Sequence, residues 1–175
     1  MDVFVFYSKS KHALPGKGAN EELVANDPYA TLSKMLHWRR VLSMFFACDF
    51  YLDGILFSSA EHAFHYSKLK CVGQHDKAEW FYKEGATCSA LEAKVKGGKN
   101  KRCALYIMTP TERQLWDEQR SAKLLDILRA KFEQSPMAKQ VLLATRNAKL
   151  RHFVGRGGGI VDPPELEQIR AELLT

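Results

Sequence analysis

The chain opens on Val3-Phe4-Val5-Phe6-Tyr7, a β-branched and aromatic run that predicts a strand. Residues 8 to 30 then carry Ser, Lys, Pro, Gly and Asn without an apolar period, and read as a long loop. Loops of that length in compact domains are usually functional or disordered. From Thr31 to Leu42 apolar residues return at helical spacing (Leu32, Met35, Leu36, Trp38), so a helix is expected there. Phe50-Tyr51-Leu52 and Ile55-Leu56-Phe57 flank Asp53-Gly54, a pair suited to a tight type I′ turn, and predict a β-hairpin. A helix follows directly, with Ser58 or Ser59 as its N-cap.

In the second half, Trp80 to Lys96 is expected to be helical at least in part, ending at Gly97-Gly98. Thr109-Pro110-Thr111-Glu112 is a capping box with proline at the first helical position. It opens a long helix to about Gln134, with Leu125, Leu128 and Phe132 on the inner stripe. Ser135-Pro136 restarts a helix carrying Val141, Leu142 and Leu143. Residues 148 to 154 read as a strand and Gly155-Arg156-Gly157-Gly158-Gly159 as a flexible loop. Asp162-Pro163-Pro164-Glu165 is expected to cap a final helix. No repeat or linker interrupts the pattern. The expected fold class is α+β: a single helix-rich domain with a small β-sheet, spanning residues 1–175.

At 175 residues the chain can bury a core without staples. Hydrophobic content of 46% against 26% charged residues places it among soluble globular proteins. No run approaches the ~18 apolar residues of a membrane span, and no signal-peptide core opens the sequence. An intracellular protein of cytoplasm or nucleus, a monomer with no membrane partner, is expected. The four cysteines form no C-x-x-C pair, so reduced and mostly buried thiols are expected rather than zinc knuckles or disulfides. The net charge of +6 favours an anionic partner, either nucleic acid or a phosphate-bearing small molecule. Basic residues concentrate at Lys9 to Lys17 and at Lys94 to Arg102.

The densest chemistry lies between Phe57 and Lys68. On a helix, Glu61, His65 and Lys68 (i, i+4, i+7) share one face. An acid, a base and an amine there can act on a bound ligand, although a solvated face with ordinary i,i+4 contacts has the same spacing. His62 and His65, even with Cys71 nearby, fall short of a ligand set, so neither metal nor cofactor is expected. The Gly-Lys loops at 15–18 and 97–99, including Lys17, Gly98 and Lys99, can present N–H groups and an ammonium to a pyrophosphate. Neither matches a Walker or dinucleotide fingerprint.

Several segments in order resemble the NADAR family, which includes the YbiA-like proteins, over nearly the whole chain. They are Phe6-Tyr7-Ser8, Leu42-Ser43-Met44-Phe45, and Gly54 followed by Ser59-Ala60-Glu61-His62-Ala63-Phe64-His65-Tyr66-Ser67-Lys68. Trp116, Arg129-Ala130-Lys131-Phe132-Glu133-Gln134, Leu142-Leu143-Ala144-Thr145 and Ala148-Lys149-Leu150 complete the set. Ser8-Lys9-Ser10, Pro15-Gly16-Lys17-Gly18 and Gly97-Gly98-Lys99 resemble a subgroup with a longer N-terminal part. Two positions depart from the pattern. Met44 stands where the family often has Asn, and Val154-Gly155-Arg156-Gly157 replaces an acid by a base. That arginine suits a substrate with more phosphate.

The resemblance implies an N-glycosidase that handles ADP-ribose or ribosylated bases. Two activities are implied: removing ADP-ribose from modified guanine in DNA or nucleotides, and cleaving ribosylated pyrimidine phosphates of riboflavin synthesis. A non-catalytic ADP-ribose reader is the third possibility. Glu61 would stabilise oxocarbenium character at the anomeric carbon. Lys68 would anchor a phosphate, or attack the opened sugar as an amine to form a Schiff base. Trp116 would wall the pocket, with Phe6, Tyr7, Ser8 and Phe45 beside it. His62 and His65 would contact substrate, and Lys17, Gly98, Lys99 and Arg156 would hold the pyrophosphate. The expected partner is ADP-ribose or an ADP-ribosylated guanine nucleotide, with nucleic acid as its carrier.

Overall fold

The structure of the protein is a computed structural model that describes residues 1–24, 28–155 and 157–175. In chain order its elements are β1 (Val3–Phe6), α1 (Ala30–Ser33), α2 (Trp38–Leu42), β2 (Ala47–Leu52), β3 (Ile55–Ser59) and α3 (Ala60–Cys71). There follow α4 (His75–Glu79), α5 (Ala90–Lys96), α6 (Pro110–Gln134), α7 (Pro136–Ala144), β4 (Lys149–Gly155), β5 (Gly159–Val161) and α8 (Pro164–Glu172). The fold is α+β and helix-rich, with small sheets. Its contacts cluster into two compact units, residues 1–46 with 135–175, and residues 47–134.

In the first unit β1 pairs in parallel with β4, and β4 pairs antiparallel with β5. β1 buries Phe4, whose ring meets Tyr29 and Trp38 edge-on at 4.8 and 5.3 Å. Thr31 to Leu42 is two short helices rather than one. On a continuous helix Leu32 and Trp38, six residues apart, would stand about 120° from each other. The left-handed residue His37 (φ 55°) breaks the helix so that both bury completely. The glycines after Phe153 form the β4–β5 turn, and Gly155 and Gly159 pair across it with positive φ. Asp162 caps nothing. Its carboxylate binds Arg151 Nε at 2.7 Å and Lys149 Nζ at 2.6 Å, and α8 begins after Pro163 without a side-chain cap.

The loop at 15–18 also differs from its expected role. The N–H groups of Gly16 and Gly18 donate to Glu21 Oε2 at 3.1 and 2.9 Å, and Val5 N donates to Oε1. Arg39 closes the arrangement, its Nε 2.6 Å from Glu21 Oε1. The loop does cradle an anion, but the anion is the protein's own carboxylate. Lys17 points outward, exposed.

In the second unit Asp53 (φ 52°) and Gly54 (φ 78°) make the expected I′ turn between β2 and β3. Ser59 caps α3 by accepting from His62 N at 3.3 Å. Residues 80 to 89 are turns and not helix. The Trp80 ring packs against Gly85, where an added Cβ would come within 2.4 Å of it. Regular helix resumes as α5, capped by Ser89. The capping box of α6 forms as drawn: Thr109 N donates to Glu112 Oε2 at 2.8 Å, and Glu112 N to Thr109 Oγ1 at 3.2 Å. Inside α6, Ile127, Leu128 and Phe132 are buried and Leu125 only half so. Lys131 is fully buried, and burial pushes its pKa down to about 8. The four cysteines are free and half-buried, more exposed than expected. No helix among the described residues is long and apolar enough to cross a membrane.

Candidate active site

Helix α3 is buried around most of its circumference, yet the buried set includes Glu61, His62, His65, Ser67 and Lys68. Neighbours close it in on several sides: β3, α4, α5 and α6 all pack against it. A helix so polar is expensive to bury, because each ion loses several kcal/mol of hydration unless it is paired. The polar groups must therefore satisfy one another, and the pattern of satisfaction defines the site.

His65 Nε2 lies 2.9 Å from Glu61 Oε1, one helical turn away. Burial lowers the His65 pKa against the opposing pull of Glu61, so the ring is neutral near pH 7 and Nε2 carries the donated proton. Nδ1 is then a bare acceptor, buried with no hydrogen-bond partner among the described residues. It faces Gly97, where a Cβ would come within 2.1 Å of it. Glycine is required at 97 because the imidazole occupies the space of a side chain. Phe81 stacks on the same ring at 5.8 Å.

Lys68 donates from Nζ to the Gly97 carbonyl. Burial pushes its pKa down to about 8, Glu61 pulls it up, and the nearby charges of Arg113, Lys99 and Arg120 push it down further. The Gly97-Gly98 segment serves through this carbonyl and not through its N–H groups. Gly97 N donates to Ala93 O and Gly98 N to Val95 O, which closes the C-terminus of α5. The negative end of that helix meets the Lys68 ammonium.

Lys68 opens onto a cleft of about 230 Å³ lined also by Phe64, Gly98, Lys99, Arg113, Trp116, Arg120 and the carboxylate of Asp117. Trp116 meets Phe64 edge-on at 5.3 Å and is almost fully buried. Arg120 stacks its guanidinium over Phe64 at 5.8 Å. Lys99, Arg113 and Arg120 form no ion pair with a carboxylate among the described residues. Glu61 stands three residues before Phe64 and seven before Lys68 on the same helix, and does not itself line the cleft. A carboxylate, a neutral imidazole and a lysine thus share α3 with Phe64, and Lys68 and Phe64 line an aromatic, cationic cleft.

Of the residues singled out from the sequence, Glu61, His65, Lys68, Gly98, Lys99 and Trp116 gather here. His62 faces elsewhere. Its Nδ1 accepts from Ser59 Oγ at 2.7 Å and its Nε2 meets Gly85 O at 3.2 Å, so its ring holds the hairpin end to the 80–89 segment. Phe6, Tyr7, Ser8, Lys17 and Phe45 belong to the first unit. There Phe6 stacks on His152 at 5.2 Å, Tyr7 meets Phe153 edge-on at 5.3 Å, and Tyr7 N donates to Ser10 Oγ. Arg156 lies outside the described residues. The sequence reading missed Phe64, Arg113 and Arg120. A helical wheel drawn through Trp116 finds the arginines, at i−3 and i+4 of the same face. No group of three or more His, Cys, Asp and Glu that could hold a metal ion occurs among the described residues.

The family profile described as the NADAR domain matches residues 24–153. The chain belongs to the NADAR family. Among solved structures it is similar to the NMR structure of the E. coli protein YbiA, at 23% identity over 78% of this chain and 79% of that one, with a TM-score of 0.59. No curated protein matches the sequence. Membership supports a glycosidase-like role at the level of the family.

Proposed function

We propose that the protein is an N-glycosidase that hydrolyses the bond between ADP-ribose and a nucleobase, with ADP-ribosylated guanine in DNA or nucleotides as its substrate. The observation that carries this reading is a buried carboxylate–imidazole dyad on the same helix as a cleft whose Lys99, Arg113 and Arg120 form no ion pair among the described residues. Cleavage of a ribosyl C–N bond builds positive charge at the anomeric carbon, and Glu61 stabilises it or positions the attacking water. His65 holds the Glu61 carboxylate in place through Nε2. Lys68, poised near its pKa, balances charge at the ribose, while Lys99, Arg113 and Arg120 hold phosphate. Trp116 and Phe64 wall the sugar. In this reading the protein works inside the cell as a monomer without cofactor or metal, and nucleic acid carries the modified base.

A second reading, cleavage of a smaller ribosylated pyrimidine phosphate, draws support from the cleft volume of about 230 Å³, the scale of one sugar phosphate. Incubation with each substrate separates the two. Turnover of the ADP-ribosylated base, lost in Glu61→Gln, is the expected outcome. Retained turnover in a folded Glu61→Gln variant removes Glu61 from the mechanism.

A further inference from the structure

We infer that Tyr106 is a positioning residue for the cleft. Its hydroxyl fastens the wall formed by Tyr106, Ile107 and Met108 to Glu112 in the first turn of α6, and so holds Arg113 in place for phosphate. The inference rests on the glycosidase reading, in which the cleft cations bind phosphate.

The wall has little else to hold it. Residues 106–109 belong to no helix or strand, yet Tyr106, Ile107 and Met108 line the cleft with Lys68, Arg113 and Trp116. On the α5 side Leu105 N donates to Lys96 O at 2.8 Å. Past that bond, Ile107 and Met108 make no hydrogen bond among the described residues. The next fixed point is Glu112.

Glu112 does more than a capping box requires. Such a box needs the N3 carboxylate to accept from the N-cap N–H, and Glu112 Oε2 does so from Thr109 N at 2.8 Å. Tyr106 Oη donates to the same carboxylate, 2.9 Å from Oε1 and 3.0 Å from Oε2. Hydrogen bonds to an ionised acceptor are among the stronger ones. Lys77 of α4 sets its ammonium 4.4 Å from the centre of the Tyr106 ring, so the ring is gripped as well as the hydroxyl. The acidities agree with this tie. Thr109 N first, then Tyr106 and Lys77, hold Glu112 below the usual carboxylate range against desolvation, and Glu112 raises the Tyr106 pKa.

Arg113 stands immediately after Glu112, in the turn that the cap and the tyrosine hold together. Without the hydroxyl, the wall hangs from Leu105 and the Thr109 cap alone, and the start of α6 is freer to fray. Tyr106 also occupies both oxygens of the carboxylate next to Arg113 in sequence, which leaves that guanidinium open to a ligand.

Tyr106→Phe removes the hydroxyl and keeps the ring under Lys77. Calorimetric titration with ADP-ribose and with inorganic pyrophosphate compares the native protein, Tyr106→Phe, Arg113→Ala and the double variant. Ser135→Ala, which removes the cap of α7 in the first unit, controls for general loss of stability. Tyr106→Phe should weaken both ligands by roughly fivefold in the native background. In the Arg113→Ala background its effect should shrink below about twofold, because a residue acting through Arg113 then has nothing to position. Ser135→Ala should bind as the native protein does. Native affinity in Tyr106→Phe, losses that add in the double variant, or an equal loss in Ser135→Ala overturns the positioning role and leaves the glycosidase reading standing. If pyrophosphate shows the expected pattern while ADP-ribose does not bind, the positioning role stands and the glycosidase reading falls. If neither ligand binds the native protein, both fall.

Discussion

His65 Nε2 and Glu61 Oε1 stand 2.9 Å apart inside a helix that is buried on most sides, and the other nitrogen of the same ring has no hydrogen-bond partner among the described residues. The pair is an oriented carboxylate and not a surface ion pair, because burial keeps the imidazole neutral and its Nε2–H donates to Glu61. His65→Ala should therefore leave a carboxylate of the right kind in the wrong orientation. Turnover is expected to fall by roughly 10- to 100-fold, with a smaller change in ADP-ribose affinity. Steady-state rates beside calorimetric affinity check this split.

Gly97 is the mould for that ring. A methyl group at 97 would overlap His65 Nδ1, since the Cβ would lie within 2.1 Å of it. Gly97→Ala is expected to cost about 1–3 kcal/mol of stability through overpacking and to lower turnover by displacing the imidazole. Gly73→Ala serves as a control, because its Cβ meets nothing within 4 Å and only its positive φ is strained. Urea unfolding and activity measured on both variants separate the ring effect from general backbone strain.

Lys68 should set the alkaline limb of the pH profile. Its ammonium donates to the Gly97 carbonyl and neighbours Glu61, so the protonated form is the working one, and its pKa is about 8. Activity is expected to hold through neutrality and to decline as pH rises through about 8. A rise over the same range, with borohydride trapping of a protein–sugar adduct, would mark attack by the free amine instead.

Stability should move the other way. Burial depresses both Lys68 and Lys131 from 10.5 to about 8, so above pH 8 the folded protein releases protons that the unfolded chain still binds. The penalty for burying these ammonium groups is present in full below about pH 8 and is relieved as pH rises toward 10. Urea midpoints should increase between pH 7.5 and 9.5, roughly, and Lys131→Met should flatten part of that rise.

The unpaired cations predict a salt-dependent, phosphate-dependent affinity. Arg113→Ala and Lys99→Ala are each expected to weaken ADP-ribose by about 5- to 50-fold, with the loss shrinking as ionic strength rises. Gln119→Ala, six residues beyond Arg113 on α6 and outside the cleft lining, should leave affinity unchanged. Titration at two salt concentrations checks both statements.

Much of this architecture was legible in the sequence because it rests on local signals. Asp53-Gly54, the Ser59 cap, the capping box at Thr109–Glu112 and the Ser135-Pro136 restart each depend on a few adjacent residues, and each forms as expected. The face joining Glu61, His65 and Lys68 was equally readable from helical spacing. Tertiary demands were not. The break at His37 follows from burying Leu32 and Trp38 together. The Gly-Lys loop at 15–18 turned inward because Glu21 and Arg39 supply its anion and counter-ion, which no local spacing reveals. Gly97-Gly98 looked like a phosphate loop, but it ends a helix whose N–H groups are already spent. Arg113 and Arg120 escaped notice because they carry no motif, only a shared face with Trp116.

The central claim is that Glu61 drives cleavage of a ribosyl–base bond. The most direct measurement is incubation of single-stranded DNA bearing ADP-ribosylated guanine with the native protein and with Glu61→Gln, reading released ADP-ribose by mass spectrometry. The account predicts release by the native protein and a loss of at least about 100-fold in the variant, with thermal stability little changed. Equal release by both proteins, or none by the native protein while ADP-ribose still binds, would contradict it.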